Sequence, residues 1–237
     1  VGSIPTTSAK NYISLITFWR RDKLMTHMSK IDIQWQVKID GWNVKSAWAE
    51  VGGLSKPSKM PSYGYSLPAE ECNVGSKLRK LKGSTCYDCY AMKGRYVFPN
   101  VQKALYNRYE QVLNNPFWID AMVFLILWYS TKFKKFRWHD SGDLIDMRHL
   151  LMIVEVARQT PNVLHWLPTR EVGLIKEYKE LYGSFPKNLV VRISATMVNG
   201  TPHKFHEHSS TVETSKDLSI GFSCIASTQD NKCVDCW

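Results

Sequence analysis

Apolar positions recur at helical spacing from Asn100 to Asn115, where Val101, Leu105, Tyr109 and Val112 fall on one face. Pro116 breaks this helix from a second, nearly uniform apolar run, Phe117 to Tyr129. The pattern then changes period. Phe133 to His139 reads as a strand ending in Asp140-Ser141-Gly142-Asp143, and Ile145 to Arg158 as an amphipathic helix with Leu150, Leu151, Ile153, Val154 and Ala157 apolar. Val163 to Leu167 predicts a strand closed by Pro168-Thr169-Arg170, Glu171 to Tyr182 a helix, Leu189 to Ser194 a strand, and Leu218 to Ala226 a last strand carrying Cys224. Upstream, residues 51–84 are rich in Gly, Ser, Pro and Lys and predict loops around one short extended piece, Tyr63 to Pro68.

Strands separated by single helices imply right-handed crossovers and a parallel sheet. The expected fold is therefore α/β, open or curled into a partial (β/α) barrel of TIM type. Residues 1–50 are expected to form an N-terminal extension and 51–237 a single domain. In such sheets the loops at the carboxyl ends of the strands build the site. Polar groups fall there: Asp140 to Asp143 after one strand, Thr169 and Arg170 after another, Ser194 and Thr196 after a third, Ser223 and Cys224 at the last. A lone Ser-Gly-Asp is an ordinary turn with a helix cap; its repetition at successive strand ends favours a site.

Composition narrows the chemistry. With 237 residues and 44% hydrophobic content, the chain can bury a core without covalent cross-links. Its six cysteines form two trios, Cys72, Cys86, Cys89 and Cys224, Cys233, Cys236, each ending in CxxC. In a chain of this size, with no segment reading as an export leader, paired CxxC motifs point to metal rather than structural disulfides. A cytoplasmic setting is expected. Two arrangements remain open: both CxxC pairs closing one tetrahedral zinc site, or each trio offering three thiolates to a four-iron cluster and leaving one iron for a non-protein ligand. The net charge of +10 favours anionic partners, a nucleic acid or a nucleotide. Its basic runs, Lys77 to Lys82 and Lys132 to Arg137, are also what a solvated face looks like. The 13-residue apolar run Phe117 to Tyr129 falls short of the roughly 20 residues that span a bilayer, so no membrane partner is expected.

The stretch Cys86-Tyr87-Asp88-Cys89-Tyr90-Ala91 resembles the end of the cluster loop of radical S-adenosylmethionine enzymes, with Tyr87 as the aromatic residue between the last two cysteines. Over roughly Tyr65 to Trp237, the chain also resembles the phage-borne gene product eighty-eight domain family. Gly83-Ser84-Thr85-Cys86, Lys93-Gly94-Arg95-Tyr96, Arg137 to Asp143 and Trp166-Leu167-Pro168-Thr169-Arg170 carry that resemblance. The radical-enzyme resemblance implies that Cys72, Cys86 and Cys89 hold a 4Fe-4S cluster after the first strand, and that the cluster chelates S-adenosylmethionine. It further implies that Ser141, Gly142 and Asp143 receive the methionine ammonium, that Thr169 and Arg170 lie at the cofactor with Arg170 pairing its carboxylate, and that an electron donor is needed. Thirteen residues separate Cys72 from Cys86 where that family has three; loop closure grows costly only slowly with length. The second trio would then hold an auxiliary cluster or act as a clasp.

Other residues have plainer readings. His139 and Asp140 are candidates for an acid-base pair, and His139 is equally a packed strand residue. His203, His206 and His208 could ligate metal, though an exposed loop is the ordinary home of such a run. Most of the nine tryptophans are core material, while Trp138 and Trp166 could wall a pocket.

Overall fold

The computed structural model describes residues 39–215 and 221–233, all within the compact unit Gln36–Trp237. Five parallel strands, β1 (Gly64–Tyr65), β2 (Lys135–Trp138), β3 (Leu164–Thr169), β4 (Leu189–Ser194) and β5 (Ser209–Ser210), pair in sequential order in one sheet. Helices α1 (Val44–Glu50) and α2 (Asn73–Leu78) flank β1 in sequence. Helices α3 (Pro99–Asn114) and α4 (Trp118–Tyr129) connect β1 to β2, α5 (Met147–Gln159) connects β2 to β3, and α6 (Val172–Tyr182) connects β3 to β4. Strand order never reverses, so right-handed crossovers place the connecting helices on one face of the sheet. They pack in a row, α4 on α5 and α5 on α6, with α1 against α4.

Side-chain alternation divides the sheet's two faces. Phe136, Trp138, His165, Leu167, Val191 and Ile193 are buried, while the intervening Arg137, Trp166, Pro168, Arg192 and Ser194 are only part-buried. The first set meets the row of connecting helices, and the second faces the opposite way, onto a face that among the described residues carries none of α1 and α3 to α6. Edge strand β1 is short but firmly held: the Tyr65 hydroxyl accepts from Trp118 Nε1 at 3.0 Å and donates to the Val51 carbonyl at 2.7 Å.

Helices α3 to α6 and the three central strands match the periodicity, whereas α2 lies inside residues 51–84, where only loops around one extended piece were expected. Three other expectations change. β3 continues through Pro168 to Thr169, because pairing with β2 stops at Trp166 while pairing with β4 runs on to Ile193, so the missing amide of Pro168 breaks no ladder. The strand expected at Leu218 to Ala226 is not formed over its described part: residues 221–225 lie outside any strand, Gly221 has φ +101° and Phe222 is 77% exposed, while 216–220 lie outside the described residues. Ser209-Ser210 takes that place. Ile193 N bonds to His208 O at 3.0 Å and Ala195 N to Ser210 O at 2.8 Å, and two serines carry no strand signal of their own. Finally, α1 falls inside the stretch assigned to the N-terminal extension, yet it belongs to the compact unit and buries Ala47 beneath an Asn43–Ser46 capping box. Residues 1–38 lie outside the described residues.

Among the described residues no helix is long and apolar enough to cross a membrane. The apolar run is α4, buried on nearly every side.

The core carries a pH signature. His165 Nδ1 accepts from Trp138 Nε1 at 3.2 Å, and Nε2 lies 2.7 Å from Thr160 Oγ1, which itself donates to Val156 O at 2.7 Å. This chain fixes a neutral imidazole with its proton on Nε2, since a proton on Nδ1 would face the indole N–H. Burial pushes the His165 pKa down to about 3. The unfolded chain therefore binds a proton below about pH 6.5 that the native state refuses, and stability falls with decreasing pH by up to about 1.4 kcal/mol per unit from this group between about pH 6.5 and 3. Urea titrations at pH 7.5 and 5.5 will show this loss, and it shrinks in His165→Gln.

Candidate functional site

A cavity of about 300 Å³ opens on the sheet face opposite the row of connecting helices. Its floor is the part-buried set from the strands, Arg137, Trp166, Pro168, Arg192, Ser194 and Ser210, and its rim is made by the strand-end turns and the first cysteine trio. Cys72, Cys86 and Cys89 line it together with Ser141, Gly142, Asp143 and Arg170.

The cysteine corner is built by α2. Cys72 is the residue before the helix and Gly75 lies one turn on. A Cβ at Gly75 would stand 2.9 Å from Cys72 Cβ, 3.5 Å from Cys72 Sγ and 3.9 Å from Cys86 Sγ, so both sulfurs crowd the one bare position of this helix. Cys86 is buried, and Cys72 and Cys89 are half-buried. Burial, then the Asp143 carboxylate and the Cys89 thiol, push Cys72 up to about 12, with Arg79 opposing. Burial likewise raises Cys86, with Arg170 opposing and Cys89 reinforcing.

The thirteen residues between Cys72 and Cys86 form α2 and a turn lying across the carboxyl ends of the strands. Asn73 Nδ2 bonds to Ile145 O at 2.8 Å and Val74 N to Glu171 Oε1 at 2.8 Å. Thr85 N reaches Thr196 O at 2.9 Å, while Thr85 Oγ1 accepts from Arg170 Nε at 3.0 Å. Beyond the trio, Tyr96 Oη donates to Asp140 Oδ2 at 2.5 Å and Tyr90 Oη to Asp140 O. The long cysteine spacing thus ties the cysteine loop to the ends of β2, β3 and β4.

The Ser141-Gly142-Asp143 turn is equally anchored. Leu67 N bonds to Ser141 O at 2.9 Å and Ser141 Oγ returns to Leu67 O at 2.8 Å. Gly142, at φ +78°, lies so close that a Cβ would fall 2.6 Å from Leu67 Cβ. Asp143 accepts from Thr169 Oγ1 at 2.6 Å, Leu144 N at 2.8 Å and Arg170 N at 2.9 Å. Thr169 and Asp143 therefore clamp the ends of β2 and β3 together and position Arg170.

His139 and Asp140 do not form an acid-base pair with each other. Asp140 is held by Tyr96 and by Arg137, whose Nη1 is 3.2 Å from Oδ1. His139 is buried at 4% exposure with φ +54°, and neither ring nitrogen has a hydrogen-bond partner. Burial, aided by Arg137, pushes its pKa down to about 3, leaving a neutral imidazole at the cavity wall. Tyr87, expected at the cofactor, is 53% exposed and is not among the cavity's lining residues; Tyr90 is. His206 is buried rather than loop-exposed, its Nε2 2.7 Å from Val191 O. Among the described residues, no group of three His, Cys, Asp or Glu side chains is arranged around a single-ion position.

The Gene product 88 family model matches residues 37–236. The chain belongs to the Gene product 88 family. That match bears out the family resemblance and the phage-protein expectation, and it spans all six cysteines. No curated protein and no solved structure matches the chain. In this Gene product 88 protein the two described members of the second trio do not line the cavity: Cys224 is exposed and Cys233 half-buried, with Cys233 N on Lys59 O at 2.9 Å, while Cys236 lies outside the described residues. Reading the sequence alone missed Gly75, Arg79, Arg192 and Ser210 as cavity residues. Arg192 was within reach, since alternation along Leu189–Ser194 puts it on the face opposite Val191 and Ile193. Gly75 was not, because its role exists only once α2 brings Cys72 back beside Cys86.

Proposed function

We propose that this protein is an iron-sulfur protein of the radical S-adenosylmethionine kind, with Cys72, Cys86 and Cys89 holding a 4Fe-4S cluster. The observation that carries the reading is the convergence, in one cavity at the carboxyl ends of parallel strands, of three cysteines from one loop, the Ser-Gly-Asp turn and Arg170. The donor set fits such a group: soft sulfur ligands suit iron-sulfur chemistry. Thiols whose ionisation burial opposes become stable thiolates when a bound metal supplies the compensating charge. When bound, the cluster would supply the electron that cleaves S-adenosylmethionine to methionine and a 5′-deoxyadenosyl radical.

The chain's own residues do the rest. Arg170 presents a guanidinium at the cavity for a carboxylate. Asp143 fixes the Arg170 backbone and the end of β3, while Ser141 and Gly142 shape the wall against Leu67. The neutral imidazole of His139 packs at the cavity wall with both ring nitrogens buried. An external electron donor completes the scheme.

Anaerobic purification with iron, acid-labile sulfide and zinc determined per chain, together with the visible spectrum, tests the reading. Brown protein with about four irons per cluster and a spectrum altered by S-adenosylmethionine is expected. Colourless protein with one zinc per chain would sink it and leave a zinc-stabilised nucleic-acid-binding protein in its place.

A further inference from the structure

From the floor of this cavity we infer a phosphate subsite, so that the substrate is a small phosphate monoester, for which uridine monophosphate serves as the probe. The inference rests on the proposed reading only in taking the cavity as the place of reaction. The subsite itself stands on residues outside the cysteine corner. Four arginines, Arg79, Arg137, Arg170 and Arg192, line the cavity against two aspartates. Both aspartates are already engaged by protein donors, Asp143 by Thr169 and two backbone amides and Asp140 by Tyr96 and Arg137. The cavity thus keeps an excess of positive charge.

The arginines differ in what they do. Arg79 binds the Ala69 carbonyl at 2.6 Å and belongs to the cysteine loop, and Arg170 reaches Thr85 beside Cys86. Arg137 and Arg192 instead rise from the strands. The Arg137 guanidinium stacks over the Trp166 ring at 4.6 Å from its centroid, and its buried Nε has no hydrogen-bond partner. Arg192 bonds to Ser209 O at 3.2 Å, which steadies it beside the hydroxyls of Ser194 and Ser210, 3.3 Å apart. Arg137 is level with Trp166 and Val190, so Arg192 stands two strands across and two residues along, roughly 12 Å away at the backbone, a span two long guanidinium side chains can close on one group. A planar carboxylate is satisfied by one fork of donors, whereas a tetrahedral phosphate accepts from several directions at once, as two guanidiniums and two hydroxyls on different strands would provide. A volume of about 300 Å³ admits a small ligand rather than a duplex.

Isothermal titration of the anaerobically purified full-length protein with uridine monophosphate, uridine and a 5′-phosphorylated DNA decamer tests this without any turnover. Uridine monophosphate is expected to bind at least tenfold more tightly than uridine, and Arg192→Gln to erase that advantage while the melting temperature stays within a few degrees. Arg192→Lys, which keeps the charge but loses the fork, should recover only part of it. Equal affinities for uridine monophosphate and uridine, an Arg192→Gln variant that binds like wild type, or binding of the decamer alone would each overturn the subsite. The comparison of the two wild-type ligands needs no variant to fold. Phosphate binding in protein that carries no iron would sink the cluster and leave the subsite standing.

Discussion

Cys72→Ala protein, purified without oxygen, is expected to lose iron and sulfide from the cavity site together, by at least tenfold, and not in proportion to one ligand of three. A four-iron cluster is assembled and held as a unit by its cysteines, so two remaining thiolates leave two irons without protein ligands. The fold should survive. Cys72 precedes a six-residue helix and makes no side-chain cap, so its truncation removes one sulfur from a half-buried position and costs about 1 kcal/mol. The same variant separates the zinc arrangement, in which Cys86, Cys89, Cys233 and Cys236 are the ligands and Cys72 is a bystander. Zinc retained in full in Cys72→Ala would overturn the assignment of the first trio. Cys224→Ala, altered at an exposed cysteine away from the cavity, is expected to keep the cavity's iron.

Gly142→Ala carries the largest expected effect on folding. The new Cβ would lie 2.6 Å from Leu67 Cβ, 2.8 Å from Leu67 O and 2.9 Å from Leu67 C, and two of these three are backbone atoms that no rotamer change can move. The left-handed backbone at φ +78° adds about 1–2 kcal/mol, and the overpacking about 1–3 kcal/mol. A total near 3–4 kcal/mol is a large share of the 5–15 kcal/mol that holds a typical domain together. The turn also holds Ser141 on Leu67, so the cavity wall should shift and iron content fall along with the urea midpoint. Gly173→Ala is the control: nothing lies within 4 Å of its Cβ position in α6, and removing a helical glycine should raise stability by up to about 1 kcal/mol. Similar urea midpoints for the two variants would refute the close-approach account of Gly142.

The parallel α/β architecture was readable because each central strand and helix buries a face whose period is written locally. Leu189–Ser194 alternates at period two, and Met147–Gln159 repeats at helical period, whatever their neighbours do. Strand β5 has only two residues, too few for any period to appear, and exists because β4 offers its ladder, whereas the equally short β1 falls inside the extended piece expected at Tyr63 to Pro68. Over its described part, residues 221–226, the strand expected at Leu218 to Ala226 does not form, although its apolar residues suit one: they lie outside any strand, and Ser209-Ser210 pairs with β4 instead.

At the site, sequence by itself determined the donors and their order: three cysteines in a loop, then a Ser-Gly-Asp turn and a Thr-Arg pair, each of the latter two at the end of a predicted strand. These were legible because turns, caps and CxxC pairs are local chemistry. Only the tertiary structure decided which of them meet. It placed the first trio and Arg170 at one cavity and left Cys224 and Cys233 off its walls. It committed Asp140 and Asp143 to protein partners and turned Arg137 and Arg192 onto the face opposite the row of connecting helices. The physical reason is that a residue's type fixes what it can bind, whereas its partners are set by contacts between strands and loops distant in sequence, such as Thr85 with Arg170 and Gly142 with Leu67.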